Sequence, residues 1–526
     1  MMRFFNTAGP VKSEKHYCLP PLKRFDTDEI LFLIEQEKYF VLHAPRQTGK
    51  TTCMLALMDH INTEGKYHCV YINVESAQGA REDVKRGISA IMREISTRAR
   101  FCSQENSATK NWQHILEQNG EDGALNELLV RWCEESDKPV VLFIDEIDSL
   151  IGDTLLSVLR QLRSGYDRRP SLFPQSIILC GVRDIRDYRI HASKEKEVIT
   201  GGSCFNIKSK SLRLGDFSKA DIKNLYLSHT AETGQVFAGD VMDLVWQLTS
   251  GQPWLVNALG YETCFEIKEN RDRSIPITTE MIHQAKENII LRRETHIDQL
   301  IDKLKEDRVR AVIEPVLAGM TNPELISTDD VSYVEDLGLI KIEGKIRIAN
   351  DIYMEVIPRE LTYSTQKTIS HDSQWYIQDD GTLDIAKLLS AFTDFFRQHS
   401  QAWIEQFDYK EAGPQLLLQA FLQRIVNGGG RIFREYGLGR MRTDLLIEWP
   451  HAAGMQKIVL ELKIKYGSLD KTIEEGLIQA SKYMDTCDTS HGHLIIFDRT
   501  QSKTWDEKIF HHTRHVCEYD IHIWGI

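Results

Sequence analysis

The sequence predicts an α/β protein in which a parallel sheet comes first, helices follow, and a second α/β domain ends the chain. Three observations lead to this prediction. Short apolar runs alternate with longer helical patterns through residues 39–181, which is typical of βαβ units and a parallel sheet. From residue 214 to about 325 the pattern is helical, and from 411 to 497 the order is helix, three strands, helix and strand. A chain of 526 residues is long enough for about two to four domains.

The first strand leads into a loop and a helix that together predict a phosphate site. Residues 39–42 are apolar, the loop contains Gly49, and a helical pattern opens at Lys50. The pattern is that of the P-loop, GxxxxGK[ST], except that Ala44 replaces the first glycine, a change that costs little where φ stays negative. Backbone N–H groups of such a loop hold phosphates, Lys50 would reach the β and γ phosphates of ATP, and the Thr51 hydroxyl would ligate Mg²⁺. The predicted nucleotide-binding residues are consecutive: Ala44, Pro45, Arg46, Gln47, Thr48, Gly49, Lys50, Thr51 and Thr52.

A later strand ends in a pair of carboxylates that predicts the other half of this site. Residues 139–148 contain a continuous apolar run that ends at Asp145 and Glu146, which indicates a strand buried on both faces. Ligands of parallel α/β sheets bind at the carboxyl ends of the strands. We therefore expect Asp145 to hold Mg²⁺ through water and Glu146 to polarise the attacking water as the catalytic residue. Taken alone, the run is also typical of a buried strand followed by an acidic turn.

An arginine after the next apolar strand is a candidate for sensing the γ-phosphate. Arg183 follows that strand at the edge of the sheet where the carboxylates are expected, so we predict that it contacts the nucleotide. Two alternatives stay open. Arg186 or Arg189 could serve a neighbouring subunit, or the arginines could form a surface salt-bridge cluster with Asp184 and Asp187.

The loop and the acidic pair, which lie two strands apart along the chain, resemble the AAA+ and STAND-type P-loop ATPases of the additional-strand class. The resemblance implies an ATPase core over residues 1–213 and a helical lid over 214–295. It also implies that a Gly-x-Pro turn, here Gly251 to Pro253, faces the nucleotide. Without the resemblance this stretch predicts only a helix–turn–helix. Because such sites often take an arginine from a neighbour, self-association into a homo-oligomer is implied as well.

Residues 296–362 predict helices followed by a two-stranded hairpin. Apolar and polar residues alternate on both sides of Glu343, which is a hairpin signal. Helices with such a wing resemble a winged helix, a module that binds DNA or packs against an ATPase as a spacer. The wing carries Lys341, Lys345 and Arg347 against Glu343, so its charge leaves both roles open.

A stretch without apolar periodicity, residues 363–380, predicts a linker to a C-terminal domain at 381–526. In that domain Asp444 lies inside the second predicted strand, and Glu461 and Lys463 lie on the third. Residues two apart on a strand share a face, and a neighbouring antiparallel strand can bring Asp444 to meet them. Two carboxylates beside a backbone carbonyl make a site for Mg²⁺, which can activate water. Lys463 would then position the nucleophile or stabilise the transition state.

This second arrangement resembles the PD-(D/E)XK nucleases. The motif here is Asp444, then Glu461 and Lys463, with Thr443 in place of the nominal proline, a change that removes no ligand. The resemblance adds Glu411, at the position of a helix-borne acid, to the metal ligands Asp444 and Glu461. It assigns the catalytic roles to Asp444, Glu461 and Lys463. Taken alone, an aspartate followed by Glu-x-Lys is also typical of a charged edge strand.

The net charge of the protein limits the kinds of partner that it can bind. The net charge of −13 argues against a wholly basic nucleic-acid coat but permits a local basic groove. A set of basic residues on or after the predicted C-terminal strands could follow a phosphate backbone, or could simply be solvated strand edges. They are Arg431, Arg434, Arg440, Arg442, Lys465 and Lys471.

No segment predicts a membrane span or an export signal. The chain has no apolar run of about 18 residues, and its first residues lack an apolar signal core. The cysteines form no C-x-x-C pattern and several lie in apolar strand-like runs, which is typical of reduced cysteines in the cytoplasm. We therefore expect a cytoplasmic protein without membrane contact.

The whole layout resembles a family of bacterial and archaeal ATP-binding proteins that join such an ATPase, through a winged helix, to a PD-(D/E)XK domain with a restriction-endonuclease-like fold. The resemblance implies ATP binding and hydrolysis that control a Mg²⁺-dependent nuclease. Its substrate would be nucleic acid, with DNA favoured, in defence or mobile-element control. Two alternatives remain. One is an ATP-dependent switch or scaffold whose C-terminal domain binds nucleic acid or protein without cleavage, and the other is an ATP-driven motor that remodels DNA.

Overall fold

The computed structural model divides the chain into two compact units. Unit 1 comprises Met1–Leu300 and Pro323–Tyr353, and unit 2 comprises Ile301–Asn322 and Met354–Ile526. The predicted domain over 296–362 therefore contributes residues to both units, and the other predicted domain bounds stay predictions. The structure describes residues 2–102, 106–183, 210–317, 327–361, 375–406, 418–419, 421–422, 430–438, 441–465, 467–498, 500 and 502–526.

Five strands of unit 1 form a fully parallel sheet. After the short parallel pair β1 (Phe4–Phe5) and β2 (His16–Tyr17), these strands are β3 (Phe40–His43), β4 (His68–Asn73), β5 (Val140–Asp145), β6 (Ser176–Gly181) and β7 (Lys210–Arg213). Their spatial order is β4-β5-β6-β3-β7. Thus β6 lies between β3, which leads into the predicted phosphate loop, and β5, which ends in Asp145. This order confirms the P-loop NTPase-like sheet of the additional-strand type.

Helices cover both faces of this sheet. They are α1 (Thr27–Glu35), α2 (Lys50–Glu64), α3 (Val84–Phe101), α4 (Ser107–Lys110), α5 (Trp112–Glu135) and α6 (Gly152–Ser164). One buried cluster joins sheet residues such as Val70 and Ile144 to α3, α5 and α6. A second cluster joins Phe40 and Phe143 to α1 and α2. Because β3, β4, β5 and β6 are buried on both sides, their sequences are mainly apolar runs, and this is why these four strands could be predicted.

Four helices follow the sheet in the region predicted as a lid, and a fifth comes next. They are α7 (Lys219–Thr233), α8 (Val241–Thr249), α9 (Pro253–Tyr261), α10 (Thr279–Arg292) and α11 (Thr295–Lys303). A capping box begins α7, in which Ser218 Oγ accepts from the Asp221 N–H and Asp221 Oδ2 accepts from the Ser218 N–H. The N-terminal strands pack on this region, since Phe5 lies in edge contact with Tyr17 and is close to Tyr226 of α7.

A helix and a hairpin complete the described part of unit 1. The elements from here to the end of the hairpin region are α12 (Asp307–Leu317, in unit 2), α13 (Thr328–Asp336), β8 (Ile340–Glu343), β9 (Lys345–Ile348) and α14 (Asp351–Leu361). In the hairpin, Glu343 pairs with Lys345 around Gly344, whose φ of 73° is readily adopted only by glycine. The predicted hairpin is therefore present, while the winged-helix interpretation stays a prediction.

Unit 2 contains a mixed sheet of six strands. Its remaining elements are α15 (Ile385–Gln406), β10 (Arg431–Leu438), β11 (Met441–His451), β12 (Gly454–Ile464), α16 (Leu469–Cys487), β13 (His491–Phe497), α17 (Trp505–Lys508), β14 (Phe510–Val516) and β15 (Tyr519–Gly525). The spatial order is β10-β11-β12-β13-β15-β14, with β12, β13 and β15 parallel and the other neighbours antiparallel. The predicted order of three strands, helix and strand is confirmed, and two further strands follow.

The helix α16 packs closely on one face of this mixed sheet. Its Gly476 lies so near Leu494 that a Cβ atom would come within 2.5 Å of that side chain. On β13, Gly492 makes room in the same way for Met484 of the helix. Val459, Leu446 and other residues of this face form the core with α16. Among the described helices of both units, none combines the length and the apolar character needed to cross a bilayer.

Candidate active sites

The predicted phosphate loop follows β3 and ends where α2 begins at Lys50. Gln47 and Gly49 take left-handed backbone conformations, with φ of 58° and 90°, whereas Ala44 is not among the described residues of positive φ. Position 44 therefore does not require glycine, and alanine can replace the first glycine of the motif without backbone strain. The Thr48 hydroxyl donates to the Pro45 carbonyl at 2.8 Å and closes the loop. Such alternation of backbone conformation turns successive N–H groups towards a common anion site.

Lys50 lies inside this loop. Its Nζ donates to the carbonyl oxygens of Ala44 at 2.9 Å and Pro45 at 3.0 Å, and the residue is buried. The ammonium therefore has two neutral acceptors as partners. Hydrogen bonds to ionised acceptors are about twice as strong as neutral ones, so a phosphate oxygen would be a better partner than either carbonyl.

Asp145 joins the loop helix to the neighbouring strands. Its Oδ2 accepts from the Thr51 hydroxyl at 2.8 Å and from Tyr71 Oη at 2.7 Å, and its Oδ1 accepts from the Glu146 N–H at 2.9 Å. Asp145 is fully buried. Burial, together with the neighbouring Asp145 charge, raises the pKa of the Tyr71 hydroxyl, so this group stays a donor. Sequence reasoning missed Tyr71 because the residue lies within an apolar run.

Thr51 and Asp145 are the protein groups that fit Mg²⁺ at this place. Oxygen ligands suit this ion, which keeps several waters and takes only one or two carboxylates together with substrate phosphates. Within the described ranges, no group of three or more His, Cys, Asp or Glu side chains is arranged to hold a metal ion. A hydroxyl beside one carboxylate fits a shared Mg²⁺–phosphate site, in which the phosphates and waters would supply the other oxygen ligands.

Glu146 follows the strand in a left-handed conformation with φ of 58°, which turns it away from the strand direction. It lines the same cavity as Lys50 and Thr51. Burial raises the pKa of its carboxyl group, as do the charges of Asp145 and Asp148, while Lys50 opposes them. A carboxylate whose pKa is raised towards neutrality is better suited to accept a proton from water.

The cavity over the loop has a volume of about 530 Å³. It is bounded by residues 46–53 and Glu146 and by parts of the chain outside the two predicted motifs. The latter include Thr7, Val11, Arg24, Phe217, Trp254 and Asn257. Trp254 and Asn257 belong to the stretch after the Gly-x-Pro turn that the resemblance had placed at the nucleotide.

Arg24 is a charged residue of this cavity wall that sequence reasoning missed. Its Nη2 donates to the carbonyl of Thr48 in the loop at 3.2 Å and to that of Gly215 at 2.6 Å. Its guanidinium also lies 4.6 Å from the centre of the Phe217 ring. Burial lowers its pKa. An arginine in a polar N-terminal segment gives no sequence signal, since the contacts join residues far apart in the chain.

Arg183 lies against a different element. Its guanidinium carbon is 5.0 Å from the centre of the Tyr333 ring in α13. The described residues that line the cavity do not include Arg183. Its contact with nucleotide stays a prediction, and the alternatives that involve Asp184, Arg186, Asp187 and Arg189 lie outside the described residues.

Two basic residues of the hairpin have acidic partners in their own chain. Lys341 Nζ lies 3.0 Å from Asp216 and donates to the Ser250 carbonyl at 2.9 Å. Arg347 donates to Glu343 at 2.9 Å. These pairs reduce the positive charge that the hairpin can offer to a nucleic acid, and both roles of the hairpin region stay predictions.

In unit 2, the predicted second site is described in part. Glu461 and Lys463 share a face of β12, as predicted, and Lys463 Nζ donates to Glu461 Oε1 at 2.8 Å. Glu461 is buried, with 2% of its surface exposed. The antiparallel register of β11 and β12 pairs Leu445, which follows Asp444, with Leu460, which precedes Glu461. Asp444 lies in β11, but its side chain is outside the described part of the chain, as is all of Glu411.

A second buried carboxylate lies beyond the ends of β12 and β13. Asp498 Oδ2 accepts from Lys465 at 3.0 Å and from Lys503 at 2.9 Å, and Oδ1 accepts from the Thr500 hydroxyl at 2.6 Å. Burial opposes the charge, yet the donors from Thr500, Lys503 and Lys465 outweigh it and lower the pKa of Asp498. Lys465, one of the predicted phosphate-contacting residues, is therefore held by a carboxylate.

The rest of the predicted basic set is only partly described. Lys471 lies 3.8 Å from Glu475 one helical turn further on. Arg431 is exposed at the start of β10. The side chains of Arg434 and Arg442, and all of Arg440, lie outside the described residues. The nucleic-acid groove stays a prediction.

Comparison with protein families supports the first site. Residues 34–188 match the family described as the AAA domain. This segment begins in α1 and includes the loop at residues 44–52 and the pair Asp145 and Glu146. The match was obtained from sequence and thus supports the nucleotide site independently of the geometry. Comparison with curated proteins finds no match.

Among solved structures, the chain is similar to the Walker-type ATPase PABY2304 of Pyrococcus abyssi, with 14% identity, a TM-score of 0.46, and 67% of this chain and 99% of that chain covered. It is similar to the ORC2 protein of Aeropyrum pernix, with 14% identity, a TM-score of 0.40, and coverage of 64% and 92%. It is also similar to Cdc6p from Pyrobaculum aerophilum, with 16% identity, a TM-score of 0.38, and coverage of 66% and 95%.

Proposed function

We propose that unit 1 binds ATP together with Mg²⁺ and hydrolyses it. The observation that carries this proposal is the hydrogen bond of 2.8 Å between the Thr51 hydroxyl and Asp145. It joins the start of the loop helix to the carboxyl end of a central strand, beside a cavity that Lys50 and Glu146 also line. The match of residues 34–188 to the AAA domain adds independent support.

Each residue has a defined part in this reaction. The loop N–H groups and Lys50 bind the phosphates, and Thr51 with Asp145 provides the oxygen ligands of the ion. Bound Mg²⁺ would offset the charge of the phosphate oxygens. Glu146 orients a water molecule and takes its proton.

The experiment is a measurement of ATP affinity and ATP turnover in Glu146→Gln. Removing the base should lower turnover by about 10²–10⁴-fold while nucleotide still binds. The matched control is Glu64→Gln, the same change at an exposed residue of α2, which should turn over ATP like the wild type. Turnover retained by Glu146→Gln would sink the hydrolysis assignment.

For unit 2 we propose a Mg²⁺-dependent nuclease that unit 1 controls, acting on nucleic acid with DNA favoured. The buried Glu461 with Lys463 on the same face of β12 supports this proposal, together with the resemblance of the motif to PD-(D/E)XK nucleases. Asp444, Glu461 and Glu411 would hold the ion, and Lys463 would stabilise the charge that develops on the phosphate. The competing proposal is a switch or scaffold that binds nucleic acid or protein without cleaving it.

The two proposals for unit 2 separate in one cleavage assay. Plasmid and linear DNA are incubated with the protein and Mg²⁺ or Mn²⁺, with and without ATP, beside Lys463→Ala. The matched control is Lys457→Ala, on the same strand. We expect cleavage by the wild type and the control and none by Lys463→Ala. Equal cleavage by the wild type and Lys463→Ala contradicts the nuclease proposal. Binding of DNA without cleavage supports the scaffold proposal. Cleavage that does not need ATP contradicts the regulation of unit 2 by unit 1.

Self-association is a further proposal for unit 1. An arginine from a second copy would complete the nucleotide site, by analogy with AAA-type assemblies. Light scattering with and without ATP measures it directly. A protein that hydrolyses ATP while it stays a monomer contradicts the proposal.

A further inference from the structure

A buried histidine connects the phosphate loop to a distant part of unit 1. His296 of α11 places its Nδ1 atom 2.6 Å from Gln47 Oε1 in the loop and its Nε2 atom 2.6 Å from Tyr353 Oη. Its ring stacks on Trp254, with 4.8 Å between the ring centres and 17° between the planes. Of the three residues named here as contacts of His296, two, Gln47 and Trp254, line the cavity over the phosphate loop.

The hydrogen bonds fix the proton on this histidine. The amide oxygen of Gln47 can only accept, so Nδ1 must carry the proton, and Nε2 then accepts from the hydroxyl of Tyr353. Burial lowers the pKa of His296 to about 3, so the ring is neutral at physiological pH and has a single N–H to donate. The donation from Tyr353 and the donation to Gln47 are therefore linked, because each requires the same tautomer.

Gln47 is a residue whose position needs such support. Its backbone φ of 58° lies in the left-handed region, which costs a residue other than glycine on the order of 1 kcal/mol or more. The bond from His296 holds the side chain of Gln47 while the backbone keeps this conformation. Because loop N–H groups can bind phosphate only when they point inwards, restraint of Gln47 preorganises the loop for nucleotide.

Tyr353 lies at the other end of this chain of contacts, in the first turn of α14. It is buried, and its backbone N–H donates to the Asn350 side chain at 2.9 Å. It is the last residue of unit 1, and the chain continues into unit 2 at Met354. The hydroxyl that His296 links to the loop therefore belongs to the residue at which the chain leaves unit 1.

We propose that His296 is a positioning residue for the phosphate loop, and that the contacts Tyr353–His296–Gln47 couple nucleotide binding to the start of α14. This inference rests on the proposed binding of ATP by unit 1. Without the Tyr353 hydroxyl the ring proton is free to move to Nε2, and Nδ1 then meets the Gln47 oxygen as an acceptor. By linkage, any change that withdraws Tyr353 lowers nucleotide affinity, and nucleotide binding holds Tyr353 in place by the same factor.

The test is a double-mutant cycle on ATP affinity, measured by calorimetry. Tyr353→Phe removes only the hydroxyl and Gln47→Met removes the acceptor, and each should weaken ATP binding by about fivefold, the effect of one hydrogen bond. If the hydroxyl acts through Gln47, adding Tyr353→Phe to Gln47→Met should change the affinity no further. The matched control is Tyr226→Phe, which removes a buried hydroxyl that donates to the Val256 carbonyl at 2.8 Å. It should lower the Tm without changing the affinity for ATP.

A second pair of variants tests the direction of the contacts. The amide of His296→Asn can replace the Nδ1 donor, whereas that of His296→Gln lies nearer the Nε2 position. His296→Asn should therefore bind ATP more tightly than His296→Gln. Three results overturn the inference but leave ATP binding intact. The first is tighter ATP binding by His296→Gln than by His296→Asn. The second is that Tyr353→Phe weakens ATP binding equally in the wild type and in Gln47→Met, and the third is that it does not change the ATP affinity at all. A wild type that binds no ATP overturns the proposed function and this inference with it.

Discussion

The two candidate sites hold their central carboxylates with different partners. In unit 1, Asp145 accepts hydrogen bonds from two hydroxyls and a backbone N–H, all of them neutral donors. In unit 2, Glu461 accepts from the ammonium of Lys463, which lies on its own strand. Both carboxylates are buried, so both need partners. The charge of Asp145 is left for a cation to offset, whereas part of the charge of Glu461 is already offset by Lys463.

Because the partners of Asp145 and Glu461 differ in charge, we expect the two sites to respond differently to a metal ion. Removing the carboxylate of Asp145 should abolish ATP hydrolysis, because none of its direct partners among the described residues carries a positive charge. In unit 2, a bound metal ion would compete with Lys463 for Glu461, so the first effect that we expect from loss of Lys463 is a lower stability of unit 2. The predictions below test this contrast, from the largest expected effect to the smallest.

The largest effect is expected for Asp145→Asn. The amide keeps the shape of the side chain but loses the charge that would hold Mg²⁺, so ATP turnover should fall by about a hundredfold or more. The measurement is the rate of ATP hydrolysis as a function of Mg²⁺ concentration. The control is Asp153→Asn, the same change at an exposed position of α6. If Asp145→Asn hydrolyses ATP at the wild-type rate, the proposed difference between the two sites is wrong.

Lys463→Met should destabilise unit 2 by about 1–3 kcal/mol. The substitution keeps the apolar stem but takes the ammonium away from a buried carboxylate, which costs part of the desolvation penalty of that group. Thermal unfolding in a chelating buffer measures the loss. Added Mg²⁺ should restore part of the Tm of Lys463→Met and have less effect on the wild type. If Mg²⁺ acts equally on both proteins, the ion and the lysine do not share Glu461.

Each unit contains a buried histidine whose pKa burial lowers to about 3, His296 in unit 1 and His493 in unit 2. Above the ordinary pKa of 6.5 neither the folded nor the unfolded chain protonates them. As the pH falls below this value, the unfolded chain binds protons that the folded chain excludes. Each histidine therefore lowers the free energy of unfolding by up to about 1.4 kcal/mol per pH unit.

His493→Phe isolates the contribution of unit 2. Denaturant unfolding between pH 7 and pH 5 should show a shallower loss of stability in this variant than in the wild type. His491→Phe, at an exposed position of the same strand, is the control and should keep the wild-type slope. The same slope in all three proteins would show that burial of His493 does not govern the acid response.

The smallest effect is expected for Ala44→Gly, which restores the glycine of the loop motif. Ala44 is buried and lacks the positive φ that would require glycine. The substitution should lower stability by about 0.5–1 kcal/mol through the greater entropy of the unfolded chain, with no gain in ATP affinity. Thermal unfolding and calorimetry measure the two quantities. Tighter ATP binding by Ala44→Gly would show that the methyl group obstructs the loop.

Most of the parallel sheet could be predicted because its strands are buried on both faces. The central residues of β3, β4, β5 and β6 are apolar, and the order of these strands with the helices implies the parallel arrangement. The strand β7 could not be predicted, since its residues Lys210–Arg213 are partly exposed and polar. The two-residue strands β1 and β2 are too short to show any period.

The candidate sites divide in the same way. Lys50, Thr51 and Asp145 could be predicted since a local pattern marks each of them, and the structure brings Thr51 and Asp145 together. Arg24 and His296 could not be predicted. Arg24 contacts Gly215, and His296 contacts Gln47, across most of the length of unit 1. Contacts between residues so far apart leave no spacing in the sequence to detect.

The central claim is that Thr51 and Asp145 together bind the ion that accompanies ATP in unit 1. The most direct measurement is the ATP affinity of the wild type and Thr51→Val, each with Mg²⁺ and with a chelator. Valine keeps the shape of threonine without the hydroxyl, so the account predicts that Mg²⁺ strengthens ATP binding in the wild type and does so much less in Thr51→Val. An equal effect of Mg²⁺ on both proteins would contradict the account.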